Sequence, residues 1–275
     1  MKKVTRMTIR LPTLFVVFFL IASFAQAGDL EDGISAVSRN DYALALKKFR
    51  SAAEEGNPIA QNNLGLLYHN GQGVTQDFLE AMKWYRLAAA QGNSMAQSNI
   101  AYMYTKGQGV TQDFKERVKW NRLAAEKGNV IAQASLGYSY ANGQGVTQDY
   151  KEALKWYSLA AEQGHMLAQS SVGMAYHNGL GVTQDYREAV KWYRLAAKQG
   201  ESMAQNNLGL LYGNGYGLVQ DHVKAHMWFN IASSSGLPEG GKNRDAFGFK
   251  MTPQQIADAQ KMARDCQSSN LKNCE

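Results

Sequence analysis

Cysteine is scarce in this chain: 275 residues contain two, Cys266 and Cys274, which excludes a disulfide-dense scaffold and a multi-cysteine zinc site. Proline is scarcer than usual, with four residues, which excludes a proline-rich spacer. An excess of one charge is also missing once the N-terminus is set aside. Lys2, Lys3, Arg6 and Arg10 account for four of the 29 basic residues, and no acid lies before residue 28, so 25 basic side chains then face 23 acidic ones. That balance gives no electrostatic case for nucleic acid. Beyond Leu11–Ala25 there is no apolar run long enough to span a bilayer. What is present is core material: 45% of residues are hydrophobic and 11% aromatic, which argues against disorder.

The first 27 residues have the layout of a secretory signal. Four basic residues precede the apolar stretch Leu11–Ala25, and Ala25-Gln26-Ala27 supplies a small-x-small step before Gly28. The stretch is short for a membrane anchor and is interrupted early by Pro12, and no cysteine stands near the step to carry a lipid. Cleavage after Ala27 is expected, leaving a periplasmic or secreted protein with no membrane anchor.

The rest of the chain repeats every 36 residues. Trp84, Trp120, Trp156, Trp192 and Trp228 keep this spacing, as do Tyr68, Tyr104, Tyr140, Tyr176 and Tyr212, and five blocks run from Asn57 to Gly236. Each block predicts two helices. The first opens at an N-cap such as Asn57, followed by Pro58, and stops at a glycine such as Gly71. After a loop, Asp77, Asp113, Asp149 and Asp185 each have Glu three places on, a capping-box pattern that starts the second helix; Asp221 with Lys224 departs from it. Glycines at 65, 137, 173 and 209 sit inside the first helix at a cost of about 0.5–1 kcal/mol each, which predicts close approach between paired helices.

Ala60-Gln61, Leu64-Gly65 with Tyr68, the Gly71-x-Gly73-Val74 loop, and Ala81-x-Lys83-Trp84-Tyr85 with Ala88-Ala89 together resemble Sel1-like repeats, longer-looped relatives of the tetratricopeptide repeat. The resemblance covers about two thirds of the chain and implies an all-α fold, a right-handed α–α superhelix (solenoid) of stacked helix pairs. Ala101, Asn121 and Arg117 depart from the pattern, so the second block is expected to pack less regularly. The expected organisation is a signal over 1–27, an N-terminal capping helix pair over 28–56, five repeats over 57–236, and a connector, capping helix and cysteine tail over 237–275. Thr252-Pro253-Gln254-Gln255 predicts a helix from Pro253 to about Asp265. Cys266 and Cys274 can close a short disulfide loop in an oxidising compartment, with unpaired or metal-bound thiols as the alternatives.

Motifs for chemistry fail on inspection. The Gly-x-Gly loops follow helices and lack the third glycine of a dinucleotide site; Gly236 to Asn243 approaches a phosphate loop, but Asn243 stands at the Ser/Thr position and no strand precedes it. His222 and His226 share a helix face but replace an aromatic and an apolar residue of the other blocks, and a third metal ligand has no source. Ser269-x-x-Lys272 lacks the companion motifs of a β-lactam-acting serine enzyme. Some cysteine-rich members of the repeat family are associated with β-lactam binding, but they carry a cysteine pair in each repeat, and these five blocks carry none. A β-lactam-binding or cell-wall-associated, hydrolase-like protein is therefore the alternative to a non-catalytic binding protein, and neither metal nor cofactor is expected.

The varied residues of the first helices, at block positions 2, 6, 10 and 13, predict a binding face on the concave side of the solenoid. Its expected members are Asn62, Leu66, His69, Ser98, Tyr102, Tyr138, Met174, His177, Asn206 and Leu210. Amides and hydroxyls beside apolar anchors suit a protein or peptide, so an exported adaptor or scaffold is the expected function.

Overall fold

The structure is a computed structural model that describes residues 28–271 and Cys274; the expected signal over residues 1–27 lies outside them. Fourteen helices and no strands occur among the described residues. They form two compact units divided between Gln112 and Asp113. The first holds α1 (residues 28–38), α2 (Tyr42–Glu54), α3 (Pro58–Asn70), α4 (Phe78–Ala90) and α5 (Ser94–Lys106). The second holds α6 (Phe114–Glu126), α7 (Val130–Asn142), α8 (Tyr150–Glu162), α9 (Met166–Asn178), α10 (Tyr186–Lys198), α11 (Ser202–Asn214), α12 (His222–Ser234), α13 (Pro238–Gly248) and α14 (Pro253–Ser268). Within each unit consecutive helices pack as antiparallel hairpins, the all-α repeat class that the period implies.

Local chemistry sets these boundaries. Asn57, Asn93 and Asn129 each accept the amide of the third helical residue, at 2.9–3.0 Å. The stop glycines take the left-handed conformation, φ +67 at Gly71 and +70 at Gly179. A glutamine on the loop then donates to the end of the first helix, as Gln184 does to the His177 carbonyl at 2.6 Å. Asp77, Asp113, Asp149 and Asp185 cap the second helices, but only half of the expected capping box forms. Glu80 does not reach back; its carboxylate instead accepts the Trp84 indole N–H at 2.9 Å and the Lys83 ammonium at 3.1 Å. The full box does form at Thr252 and Gln255.

The mid-helix glycines make room first for rings and also for the partner helix's backbone, since a Cβ on Gly65 or Gly209 would meet the Ala81 or Ala225 carbonyl at 3.3 or 3.2 Å. A Cβ on Gly65 would stand 2.7 Å from the Tyr85 ring, and Gly137, Gly173 and Gly209 face Tyr157, Tyr193 and Phe229 at the same distance. In the second block Ala101 stands in the glycine's place and Asn121 in the ring's place. Arg117 is buried, and its guanidinium donates to Ser139 Oγ at 2.9 Å and to the Gln144 carbonyl at 3.2 Å. The second loop glycine of each block presses against the preceding second helix: a Cβ on Gly73 would meet the Tyr42 carbonyl at 2.5 Å, and one on Gly181 the Tyr150 carbonyl at 2.4 Å.

The repeat pattern continues at both ends. Gly33 faces the Phe49 ring as Gly65 faces Tyr85, so the capping pair over residues 28–56 is built as a further repeat with a loop four residues shorter. The segment expected as a connector, 237–250, forms α13. Leu237 and Pro238 stand five periods after Asn57 and Pro58, and the stretch that approached a phosphate loop is the start of this helix. The Asn243 side chain donates to Asn206 Oδ1 at 2.8 Å, as Asn99 donates to Asn62 Oδ1 at 2.9 Å. α14 runs to Ser268, slightly beyond the expected end, and packs on α12, where Trp228 is fully buried.

Candidate binding face of the first helices

Along a first helix, residues at block positions 3, 7, 10 and 14 (counted from Asn57 and its equivalents) fall on one arc at 100° per residue. This is the arc that the fold leaves open, roughly a fifth of a turn from the one expected. Position 10 faces out: Tyr102 is 49% exposed, Tyr138 48% and Met174 46%, with Leu66 and Leu210 half-buried. Position 3, one heptad earlier, is apolar in every block and also exposed. Ile59, Met95, Ile131, Leu167 and Met203 show 48–65% of their surface. Between the two apolar rows lie short polar residues: Asn63 and Asn99 in the first unit, Ser135, Ser171 and Asn207 in the second.

Two of the expected site residues are withdrawn from this face. Asn62 and Asn206 are only 3% and 5% exposed, because each amide is held against the next first helix, by Asn99 and Asn243. Ser98 is half-buried on the same edge of the arc. His69 and His177 are half-buried against the hairpin partner. The His69 ring meets Phe78 at 5.3 Å and Tyr102 at 5.8 Å between centroids, and His177 meets Tyr186 at 5.4 Å. Burial lowers both imidazole pKa values below the usual 6.5, so both rings are neutral at pH 7. Sequence variation pointed to positions 6 and 13 because residues there change between blocks; the position-3 row escaped because constant apolar character reads as core.

The face carries almost no charge. α3, α7, α9 and α11 contain no Asp, Glu, Lys or Arg, and α5 has one, its last residue Lys106. Charged residues collect on the second helices, in pairs one turn apart such as Glu80–Lys83 at 3.1 Å and Glu116–Lys119 at 3.2 Å. Interspersed charge there is solvated surface, whereas an uncharged face with exposed apolar rows marks a place for a partner.

Elsewhere, His226 is buried and its Nδ1 has no hydrogen-bond partner; burial and the nearby Arg244 lower its pKa. His222 lies 6.0 Å from the Phe247 ring. Among the described residues no three His, Cys, Asp or Glu side chains come together as metal ligands, and no helix is long and apolar enough to cross a membrane. Cys266 and Cys274 are joined by a disulfide, both buried beside Trp228 and Ile231 in the last core. Lys272 of the Ser-x-x-Lys match lies outside the described residues.

The Sel1 repeat family model matches residues 26–57, 58–93, 94–129, 130–165, 167–201 and 202–237. These are six repeats, one more than the five strict blocks, and the additional one is the α1–α2 hairpin with its shortened loop. Among solved structures, the chain is similar to a protective antigen present in uropathogenic Escherichia coli strains, with 31% identity and a TM-score of 0.79 over 90% of this chain and 56% of that one. It therefore spans little more than half the length of that relative. A Sel1 repeat protein from Oxalobacter formigenes is also similar, with 33% identity and a TM-score of 0.74 over 86% of this chain and 96% of that one. No curated protein matches.

Proposed function

The chain belongs to the Sel1 repeat family, and from that premise we propose that it is a non-catalytic, exported adaptor that binds protein or peptide partners on the open faces of its first helices. The observation that carries the proposal is the repeated, uncharged pattern of that face: an apolar row, a short polar row, and a second apolar row. Apolar anchors bury area on binding, and amides and hydroxyls pair with the backbone of an extended partner. The second helices also expose Leu87, Leu123, Leu159 and Leu195, but as a single row among charged residues engaged in caps and in pairs one turn apart.

Export is supported by the signal layout of residues 1–27 and by the bonded Cys266 and Cys274, because disulfides persist in oxidising compartments. Intact mass of the protein recovered from a periplasmic or culture extract should correspond to a chain starting at Gly28.

The binding face is tested by capture. The protein is used as bait against an exported-protein extract, alongside Tyr102→Ala combined with Tyr138→Ala. Both side chains are about half exposed, so the double variant should keep its melting temperature and lose at least about tenfold in partner recovery. Unchanged recovery with both rings removed overturns the assignment of this face.

A further inference from the structure

The first-helix face of the first unit opens into a cavity of about 240 Å³ beside α1 and α3. Ile34, Val37, Phe49, Leu66 and Leu67 form its apolar lining. Ile34 and Val37 stand 32 residues before Leu66 and His69, the same offset as Gly33 before Gly65, so they occupy positions 10 and 13 of the short-looped first repeat. Both are exposed, at 49% and 37%, so two aliphatic side chains stand in solvent at the mouth of a hollow.

Polar groups at the cavity are amides only. Asn63 accepts from Asn62 at 3.4 Å and Asn70 donates to Gln72 at 3.4 Å, long bonds that leave the Asn63 and Gln72 NH₂ groups and the Asn70 carbonyl to serve another partner. No lining residue is ionisable. A carboxylate or ammonium brought here would lose hydration without gaining a counter-charge, so the lining selects an uncharged occupant. The volume is below the roughly 300–1,000 Å³ of sites for drug-sized ligands and suits a single large side chain. Phe49 is buried at the base of the hollow and offers no open ring face, which disfavours a sugar.

We propose that this cavity is an anchor site: it seats one leucine- or phenylalanine-sized side chain of an extended, locally uncharged partner peptide, whose backbone pairs with the amides of Asn63, Asn70 and Gln72. The proposal rests on the peptide-binding reading of the first-helix face and adds to it one pocket and one kind of anchor.

The test is a methyl NMR titration of the protein labelled at Ile, Leu and Val methyls, with three probes: N-acetyl-leucine methylamide, N-acetyl-phenylalanine methylamide and N-acetyl-glutamate methylamide. The leucine or phenylalanine probe should shift the Ile34, Val37 and Leu66 methyls saturably, with a Kd of about millimolar, as fits a ligand of this size. The glutamate probe should bind at least about tenfold more weakly. Val37→Phe fills the mouth from an exposed position and should abolish the shifts at Ile34 and Leu66 without lowering the melting temperature. No saturable shift from either apolar probe, or equal shifts from the glutamate probe, overturns the anchor. So does a response seen only in a chain starting at Gly28 and missing from one that retains residues 1–27, because the occupant would then be the chain's own N-terminal segment. If the probes fail while the Tyr102 and Tyr138 double variant still loses its partner, this inference falls alone and the wider binding face stands.

Discussion

A ladder of buried glutamines joins the hairpins, and two rungs, Gln97 and Gln205, lack a donor to the side-chain oxygen. Gln61, Gln133 and Gln169 each donate from Nε2 to the carbonyl of an alanine eight residues earlier, at 3.1–3.2 Å, and each accepts at Oε1 from a second glutamine 30 residues later. Those donors are Gln91, Gln163 and Gln199, at 2.7–2.9 Å, and each is the C-cap of a second helix. Gln205 makes the first bond, to the Ala197 carbonyl at 3.2 Å, but the equivalent C-cap is Ser235 and its buried Oε1 has no partner. A buried acceptor left unpaired costs about 1–3 kcal/mol, whereas a made bond contributes about 1. Gln199→Ala should therefore orphan Gln169 and destabilise the second unit by about 1–2 kcal/mol, lowering its melting temperature by roughly 2–8 °C. Ser235→Gln should run the other way, supplying the missing donor and raising stability by about 1 kcal/mol. Urea unfolding followed by circular dichroism, with amide exchange to place the change because repeat arrays need not unfold in one step, measures both. The reasoning is refuted if Gln199→Ala stays within about 0.3 kcal/mol of the parent, or if Ser235→Gln destabilises as much as Gln199→Ala does.

Three further outcomes follow from the geometry. Gly181→Ala should cost at least about 2 kcal/mol in urea unfolding, because φ is +72 and the new Cβ meets the Tyr150 carbonyl, whereas Gly128→Ala, with φ +84 and open space, should cost distinctly less. Asp185→Ala should remove about 1 kcal/mol of capping and speed amide exchange at Arg187 and Glu188, while Glu188→Ala should leave those two amides protected, since no reciprocal box bond forms there. Burial depresses the folded-state pKa of His69 and His177 below the unfolded 6.5, so the neutral ring is favoured by folding. Their contribution is therefore present above pH 6.5 and is lost as the pH falls through that value toward the folded pKa. Unfolding measured between pH 7.5 and 5 should show this loss, and His69→Phe with His177→Phe should reduce it, leaving the share of His165 and His226, whose burial acts the same way.

Much of the architecture was legible because its causes are local. N-cap asparagines and aspartates, stop glycines and the proline at 253 act within a few residues, and a 36-residue period repeats them often enough to place each helix. The one element misjudged, α13, was visible to the same ruler. Pro238 stands at the phase of Pro58, just as Phe49 stands one period before Tyr85. What hid α13 was the loss of the loop glycines and the tryptophan, which carried the period elsewhere. The capping box half-failed because the glutamates find other partners: Glu80 accepts the Trp84 N–H, whereas Glu152 pairs with Lys155 and the Trp156 N–H has no partner.

The amino-acid sequence alone determined that this chain is a pile of helix hairpins with apolar interiors and nearly uncharged first helices in the five blocks from Asn57 to Gly236, since period, turn chemistry and the distribution of Asp, Glu, Lys and Arg are properties of the string. Which arc of those helices meets solvent was decided only by packing. The next first helix covers Asn62 and Asn206, the partner helix's rings cover His69 and His177, and what remains open is the line through Ile131 and Tyr138, Leu167 and Met174. An apolar residue looks the same in a sequence whether a neighbour lies over it or not, and that neighbour stands between 9 and 37 positions away here.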